Sequence, residues 1–293
     1  MIVDCHTHIW SDPALLGSEV AEYLRLQSGK SDLQASPADH ALAGRCVTQT
    51  LVLGYRSAAQ NAAVPNEFIA EYVGRNSDRV IGIAGIDPTE PSALREASAL
   101  LARSEFRGLV VSPSSQNFHP ADSRAMALYE LAQDRGAPVF FHHGIHLPAS
   151  GRMEYARPYL LDEIAREFPR LTIVVSALGH PWVDECIILL GKHPRVYADI
   201  SGLVRRPWQA YNALTLAHQF NVINKVLFGS DFPFFTAAEA IEAVYRLNEM
   251  TQGTNLPTVP REALRSIVER DALACLGIER PGLAAPAAAG RAE

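Results

Sequence analysis

A (β/α)8 TIM barrel is the fold that the sequence predicts, with a helical insertion after strand 1. Eight short apolar runs recur along the 293 residues, and amphipathic stretches separate most of them. Several runs are nearly continuous in valine, isoleucine and leucine, which is typical of parallel strands buried on both faces. Strand and helix alternating about eight times favours a barrel. The predicted strands are residues 1–5, 50–53, 80–86, 108–111, 138–141, 171–176, 196–200 and 226–228.

The segments between these runs support the same fold. Leu94, Ala97, Leu100 and Leu101, for example, would share one face of a helix. An open, doubly wound sheet is the alternative, but no glycine fingerprint follows the first strand to support it. Residues 10–45 are too many for a plain crossover and predict a helical insertion over the barrel mouth. One domain should cover residues 1–279, and the Ala-, Pro- and Gly-rich residues 280–293 should be a disordered tail.

Composition excludes several classes of function. The chain is 48% hydrophobic and carries a net charge of −6, with no basic stretch that would bind nucleic acid. Its four cysteines include no C-x-x-C pair, which indicates reduced thiols rather than a disulfide framework. The first residues do not resemble a signal peptide, and no apolar run reaches the roughly 18 residues of a membrane span. A cytoplasmic protein acting on a small-molecule substrate is therefore expected.

His6 and His8 are the first candidate metal ligands. They follow the first strand two residues apart, which on a strand means the same face. At the carboxyl end of a barrel strand that face can point into the mouth, where barrel active sites lie. Two imidazoles at that place would supply half of the ligands of a metal site. The alternative is that His6 and His8 are simply two polar residues in a loop.

Ligand residue types also end two other strands. His142 and His143 follow the fifth strand, and Asp231 follows the eighth. A barrel brings strand ends together, so two histidines, a third and an aspartate would form a site suited to Zn²⁺, Mn²⁺ or a similar ion. Strand alternation sends one of His142 and His143 inward without indicating which, and the other would then pack or lie on the surface.

Several further residues are candidates for substrate or catalytic contacts. Asp199, near the end of the seventh strand, is predicted to hold a ligand histidine or a substrate group, or simply to begin a helix. Arg56 follows the second strand and Arg205 and Arg206 follow the seventh, so either site could receive an acidic substrate, although surface arginines are common. His180 begins a loop and is either structural or close to the substrate. His119 and His146 are weaker candidates in mouth loops.

The motifs together resemble a known family. Met1 to His8 resembles its opening strand, Pro138 to Gly144 its fifth strand, and Phe228 to Pro233 its eighth. Phe106-Arg107-Gly108, Gly179-His180-Pro181-Trp182 and Arg206-Pro207-Trp208 resemble segments that occur between these in the same order. The family is the amidohydrolase-related group that includes aminocarboxymuconate-semialdehyde decarboxylase and gamma-resorcylate decarboxylase, and the resemblance extends to about residue 278.

This resemblance implies a barrel enzyme with one divalent metal. It maps the ligands onto His6, His8, His142 and Asp231, and so selects His142 over His143. Related two-metal barrels use a lysine on the fourth strand, where this chain has Leu109-Val110-Val111-Ser112. One metal ion is therefore expected, with Zn²⁺ ahead of Mn²⁺ or another ion, and a homo-oligomer such as a dimer is implied.

One position departs from the family pattern. The family usually has a histidine at the end of the sixth strand, where this chain has Ala177. That histidine is the expected general base or carbonyl polariser, and losing an acid–base group typically costs about 10²–10⁴ in rate. Three explanations remain: an inactivating substitution, an enzyme that uses another group such as Asp231 or His180, or a binding protein with little activity.

Two reactions fit these residues. In hydrolysis, the metal activates water and Asp231 takes the proton and passes it to the leaving group of an amide, ester or lactone, with an acidic substrate favoured by the arginines. In nonoxidative decarboxylation of an aromatic or unsaturated carboxylate, or a related hydratase reaction, a protein acid protonates the substrate carbon. Hydrolysis needs only groups that are present in the sequence, so it is favoured over decarboxylation.

Overall fold

Eight parallel strands form one sheet in which each strand pairs with the next along the chain, as predicted. The computed structural model describes residues 1–143 and 148–280, so His146 and all of the predicted tail except Arg280 lie outside the described residues. The barrel strands are β1 Val3–Thr7, β2 Gln49–Leu53, β3 Val80–Gly85, β4 Phe106–Val111, β5 Val139–Phe141, β6 Ile173–Val175, β7 Val196–Asp199 and β8 Val226–Leu227.

Backbone hydrogen bonds join the first and last strands. The Cys5 N–H donates to the Phe228 carbonyl, and the Asp231 N–H donates to the His6 carbonyl, both at 2.9 Å. The His8 N–H donates to the Phe232 carbonyl, also at 2.9 Å. The sheet is thereby closed into a barrel, and the alternative of an open sheet is wrong.

Helices cover the outside of the barrel and the ends of its strands. They are α1 Ser18–Ser28, α2 Pro37–Ala43, α3 Asn66–Arg75, α4 Ala93–Leu101, α5 Pro113–Gln116, α6 Ser123–Asp134, α7 Leu161–Glu167, α8 Val183–Lys192, α9 Pro207–Gln219, α10 Ala237–Tyr245, α11 Arg261–Glu269 and α12 Ala272–Leu276. After β2, two antiparallel strands of two residues each, Arg56–Ser57 and Ala62–Ala63, form a short hairpin. Within residues 1–143 and 148–280, none of the helices has the length and apolar character needed to cross a membrane.

Two apolar layers hold the barrel together. The interior cluster takes alternate residues from the strands, such as Leu51 and Leu53 from β2 and Ile81 and Ile83 from β3. The residues between them, such as Val52, belong to the outer layer that packs against the helices. This double burial explains the continuous apolar runs in the sequence.

The segment between β1 and β2 is a short 3-10 turn, Pro13–Leu16, followed by α1 and α2. The Trp10 indole N–H donates to the Leu33 carbonyl at 2.6 Å, and the Lys30 ammonium group donates to the Pro233 carbonyl at 2.6 Å. Because Pro233 follows β8, the second of these bonds ties the insertion to the carboxyl-terminal end of the barrel.

An irregularity in β1 changes which residues share a face. Asp4 pairs with Thr50 and Thr7 pairs with Val52, so β1 has one more residue than β2 between these points. An extra residue of this kind is a β-bulge, which interrupts the alternation of side chains. The alternation is interrupted between Asp4 and Thr7, and within this stretch Asp4 Oδ1 accepts a hydrogen bond from the His6 N–H at 3.3 Å.

Gly229 allows the close approach of the last strand to the first. A Cβ atom at this position would lie 2.8 Å from the Cβ atom of His6. We expect Gly229→Ala to lower the free energy of unfolding by about 1–3 kcal/mol, because the two strands would have to separate. Gly74, within α3, has nothing within 4 Å of an added Cβ. Gly74→Ala should therefore keep or raise stability in the same urea titration, and equal stability of the two variants would contradict this packing.

His40 fixes α2 to β1 through a buried chain of hydrogen bonds. The Thr7 hydroxyl donates to the Leu51 carbonyl at 2.7 Å and accepts from His40 Nε2 at 2.9 Å. His40 Nδ1 lies 2.8 Å from the Tyr72 hydroxyl, which can donate to it. This arrangement suits a neutral imidazole, and burial lowers the pKa of His40 to about 4.

The low pKa of His40 predicts a pH-dependent stability. Because the unfolded chain binds a proton at His40 near pH 6.5 and the folded chain does not, stability is lost as pH falls from 6.5 towards 4. We expect the wild-type free energy of unfolding to fall by about 2 kcal/mol more than that of His40→Gln between pH 7 and pH 5. Substitution of the partly exposed His218 on α9 is the control. Parallel urea titrations would contradict the account if both variants followed the wild type.

Candidate metal centre

Three histidines meet at the carboxyl-terminal end of the barrel. His6 lies in β1, His8 directly follows β1, and His142 directly follows β5. Their ring centroids are 5.0 to 5.2 Å apart in all three pairs. One ring nitrogen from each lies within 4.8 Å of the other two, a grouping that can hold a metal ion.

The other ring nitrogen of each histidine has its own partner. His6 Nδ1 lies 2.9 Å from Asp199 Oδ2, and His8 Nδ1 lies 2.9 Å from the Leu53 carbonyl. His142 Nδ1 lies 2.9 Å from the Ser112 hydroxyl. Partners of this kind fix the orientation of ligand histidines. The Nε2 atoms are therefore the ones available for a metal.

The spacing of two of these nitrogens fits a cation. His8 Nδ1 must carry a proton, because the Leu53 carbonyl can only accept, so the Nε2 atom of neutral His8 carries a lone pair. His6 Nε2 lies 3.1 Å from His8 Nε2. Two lone pairs at this distance repel unless a proton or a cation lies between them. Nitrogens bound about 2.0–2.1 Å from a single tetrahedral Zn²⁺ ion are themselves about 3.3 Å apart, so the spacing of this pair is close to what such an ion requires.

Asp199 organises the surroundings of His6. Its Oδ1 atom accepts from the Ala177 N–H at 2.9 Å, from the Ser201 N–H at 2.9 Å and from the Ser201 hydroxyl at 2.6 Å. Burial alone would raise the pKa of Asp199, but His6 and these hydrogen bonds outweigh it and hold that pKa below its ordinary value. Burial likewise opposes a charge on His6, yet Asp199 raises the pKa of His6 above its ordinary value.

Asp231 lines the same cavity as the three histidines but is outside the group whose ligand atoms lie within 4.8 Å of one another. Its backbone has a positive φ of 66°, a conformation that aspartate adopts more readily than most residues. Burial raises the pKa of Asp231 to about 7, although the charge of His6 opposes this. A divalent cation beside the carboxylate would favour its ionised form.

His142 and His143 both line the cavity. The alternation expected from a strand ends at Phe141, because the His143 N–H turns back to donate to the Phe141 carbonyl at 2.8 Å. A hydrogen bond over two residues is a tight turn, not extended chain. The interpretation that one of the two histidines must point away from the site is therefore wrong. Among the described residues, neither ring nitrogen of buried His143 has a hydrogen-bond partner.

The cavity at this end of the barrel has about 840 Å³ of empty space, including the part open to solvent. The insertion supplies an apolar wall to it. Val20, Tyr23 and Leu24 lie on one face of α1 and line the cavity. Leu16, from the turn before α1, and Trp10, from the loop after β1, complete this wall. Polar groups line the wall formed by the barrel: Ser112, Ser114, Ser115, Ser176 and Ser201.

Four of the residues expected to touch a substrate are not among the described residues that line this cavity: Arg56, Asp199, Arg206 and His180. Arg56 forms ion pairs with Glu90 and with Glu96, the latter at 3.1 Å. Arg206 directly precedes α9 and donates to Gln27 Oε1 at 3.3 Å. His180 follows the turn after β6, and burial lowers its pKa.

Arg205 is closer to the site than Arg206. Its guanidinium carbon lies 5.6 Å from the centre of the Phe234 ring, and Phe234 lines the cavity. The positive charge of Arg205 opposes the rise in the pKa of Asp231. Arg205 nevertheless stands outside the described lining residues, so its effect on the cavity is electrostatic.

Ala177, where the family pattern has a histidine, also lines the cavity. It and Leu178 have left-handed backbones, with φ of 52° and 50°. Non-glycine residues pay roughly 1–2 kcal/mol each in this region. The hydrogen bond from the Ala177 N–H to Asp199 helps to hold the turn in place.

Sequence reasoning missed the residues of the apolar wall and the serines. The helical spacing of Val20, Tyr23 and Leu24 could have indicated a face turned towards the barrel. The run Ser112-Pro113-Ser114-Ser115 directly follows β4, and that position could have marked it as part of the mouth. Tyr55 was also missed; it lines the cavity, and burial raises the pKa of its hydroxyl to about 12.

Solved structures share this fold at low identity. An amidohydrolase from Burkholderia multivorans with bound zinc is 15% identical, with a TM-score of 0.66, covering 95% of this chain and 100% of that one. A probable 2-pyrone-4,6-dicarboxylic acid hydrolase from Acinetobacter baumannii is 16% identical, with a TM-score of 0.64, covering 94% and 99%. A dihydroxybenzoic acid decarboxylase from Polaromonas sp. with bound manganese is 16% identical, with a TM-score of 0.62, covering 94% and 96%.

Sequence comparison assigns the family directly. No curated protein matches the chain. The Amidohydrolase family profile matches residues 3–278, which spans β1 to the end of α12 and contains all the histidines and aspartates of the site. The expected resemblance is thus confirmed: the chain belongs to the amidohydrolase family.

Proposed function

We propose that this protein is a metal-dependent hydrolase that cleaves a small amide, ester or lactone with water. The observation that carries the proposal is the convergence of the three histidines in a cavity that Asp231 also lines. His6, His8 and His142 would hold the ion through Nε2, with Asp231 as the oxygen ligand. Zn²⁺ is favoured and Mn²⁺ is the alternative, since both occur in the similar structures.

Each side chain then has a defined part in the reaction. A divalent ion bound there would polarise a substrate carbonyl and make water more acidic. Asp231, which lines the same cavity, would accept a proton from water and return it to the leaving group. Asp199 keeps His6 oriented. His143 offers a ring N–H for a hydrogen bond to the substrate.

Nonoxidative decarboxylation is the second candidate, because the similar structures include a decarboxylase. That reaction needs an acid to protonate the substrate carbon. With Ala177 in place of the usual histidine, Asp231 is the one carboxylic acid among the described lining residues. Hydrolysis is favoured because it needs no acid that protonates a substrate carbon. His180 as an acid–base group is not retained, since it does not line the cavity.

Two further aspects stay predictions: a homo-oligomer such as a dimer, and a cytoplasmic location. Neither bears on the chemistry proposed for the site.

The proposal is tested by assaying ester and lactone hydrolysis and carbon dioxide release with the same preparations. We expect hydrolysis to vanish on chelation, to return with Zn²⁺ or Mn²⁺, and to fall by about 10²–10⁴ in Asp231→Asn, which cannot accept the proton. Asp162→Asn is a matched control, because Asp162 pairs with His193 at 2.7 Å on the outside of the barrel.

One result would contradict the hydrolase, and a second would contradict the role given to Asp231. Carbon dioxide release from aromatic acids without ester or lactone hydrolysis would favour the decarboxylase. Ala177→His tests whether the alanine is a lesion: if hydrolysis rises by about 10²–10⁴ in that variant, the chain lacks its main acid–base group and Asp231 is not sufficient.

A further inference from the structure

The charge of the cavity bears on what it binds. Among its described lining residues none is lysine, arginine or glutamate, and Asp231 is the one carboxylate. Residues 144–147, outside the described part, are Gly, Ile, His and Leu. The two buried carboxylates Asp199 and Asp231 would balance the charge of a divalent ion. Among the described lining residues no lysine or arginine then remains for an anionic group on a substrate, and Arg205, which lies beside Phe234, is outside that lining.

The apolar wall gives the second observation. Trp10, Leu16, Val20, Leu24 and Phe234 face the cavity, and each is at least nine-tenths buried. Burial of an apolar group against such a wall contributes roughly 25 cal/mol per Å² removed from water. A carboxylate placed there would lose its hydration without a partner, which costs far more than apolar contact returns.

Neutral polar groups without a hydrogen-bond partner among the described residues also line the cavity. The Ser114 hydroxyl, the Ser176 hydroxyl and both ring nitrogens of His143 line this cavity, are buried and have no hydrogen-bond partner among the described residues. Native proteins contain few such atoms, and each one costs free energy. Their concentration in one cavity indicates a place where a ligand supplies the missing hydrogen bonds. Neutral hydroxyl and imidazole groups suit carbonyl or hydroxyl oxygens.

We infer that the cavity selects a neutral, largely apolar carbonyl substrate, whose polar atoms bind Ser114, His143 and Ser176 while its hydrocarbon part packs against α1. This inference rests on the proposed hydrolysis for the identity of the reacting carbonyl, but not for the charge preference. It replaces the acidic substrate expected from Arg56, Arg205 and Arg206, because none of these arginines is among the described residues that line the cavity.

Binding of a ketone pair tests the inference without catalysis. The probes are 2-acetonaphthone and its 6-carboxylate, added to the zinc-loaded full chain and followed by calorimetry. We expect the neutral ketone to bind at least about tenfold more tightly, a difference of about 1.4 kcal/mol. Tighter binding of the carboxylate, or no binding of either ketone, would overturn the inference.

One pair of variants locates the binding. Leu24→Ala should weaken binding of the neutral ketone by about tenfold, because the substitution removes apolar contact area. Leu26→Ala on the same helix should not, because Leu26 is 72% exposed. Equal effects of the two would contradict packing against α1.

Ser114→Ala distinguishes a binding role from a structural one. Removal of a buried hydroxyl without a hydrogen-bond partner should leave thermal stability unchanged or higher. The same substitution should weaken binding of the ketone several-fold. Loss of stability with unchanged binding would count against the inference. The corresponding naphthyl ester separates this inference from the proposed function: ketone binding with the expected preference, but no hydrolysis of the ester, would refute the hydrolase and leave the charge preference standing.

Discussion

The site depends on the closure of the barrel between β1 and β8. Three backbone hydrogen bonds, from the N–H groups of Cys5, His8 and Asp231, join the two strands across the line of closure. His6 and His8, the proposed ligands on one side, and Asp231 on the other are therefore neighbours because the sheet is closed. Gly229 permits this approach, since a side chain there would meet His6. Stability and function consequently share the same contact.

A buried network of charge then sets the chemistry. Asp199 connects His6 with the turn at Ala177 and with Ser201, so one carboxylate holds a proposed ligand and shapes the cavity wall. Because Asp199 is fully buried, its charge needs compensation. Burial opposes a charge on His6, yet Asp199 raises the pKa of His6, so a protonated His6 would offset the charge of Asp199. A divalent ion bound to neutral His6 would offset it instead.

The fold and the meeting of His6, His8 and His142 were predictable, whereas the rest of the cavity lining was not. Apolar periodicity located all eight strands, because burial on both faces leaves a continuous apolar run. The bulge between Asp4 and Thr7 and the turn at His143 were not visible, since each changes side-chain direction without changing composition. Arg56 follows a strand as a substrate-binding residue would, but Glu90 and Glu96 come from elsewhere in the chain and pair with it. Such long-range pairing cannot be seen in sequence alone.

The central claim, that these histidines form one metal site held by Asp199, is tested most directly by titrating the metal-depleted chain with Zn²⁺ in a calorimeter. The account predicts saturation at one ion per chain, and about 10–100-fold weaker binding in Asp199→Asn, which no longer offers His6 a charged partner. No saturable binding by the wild-type chain, or an unchanged affinity in that variant, would contradict it.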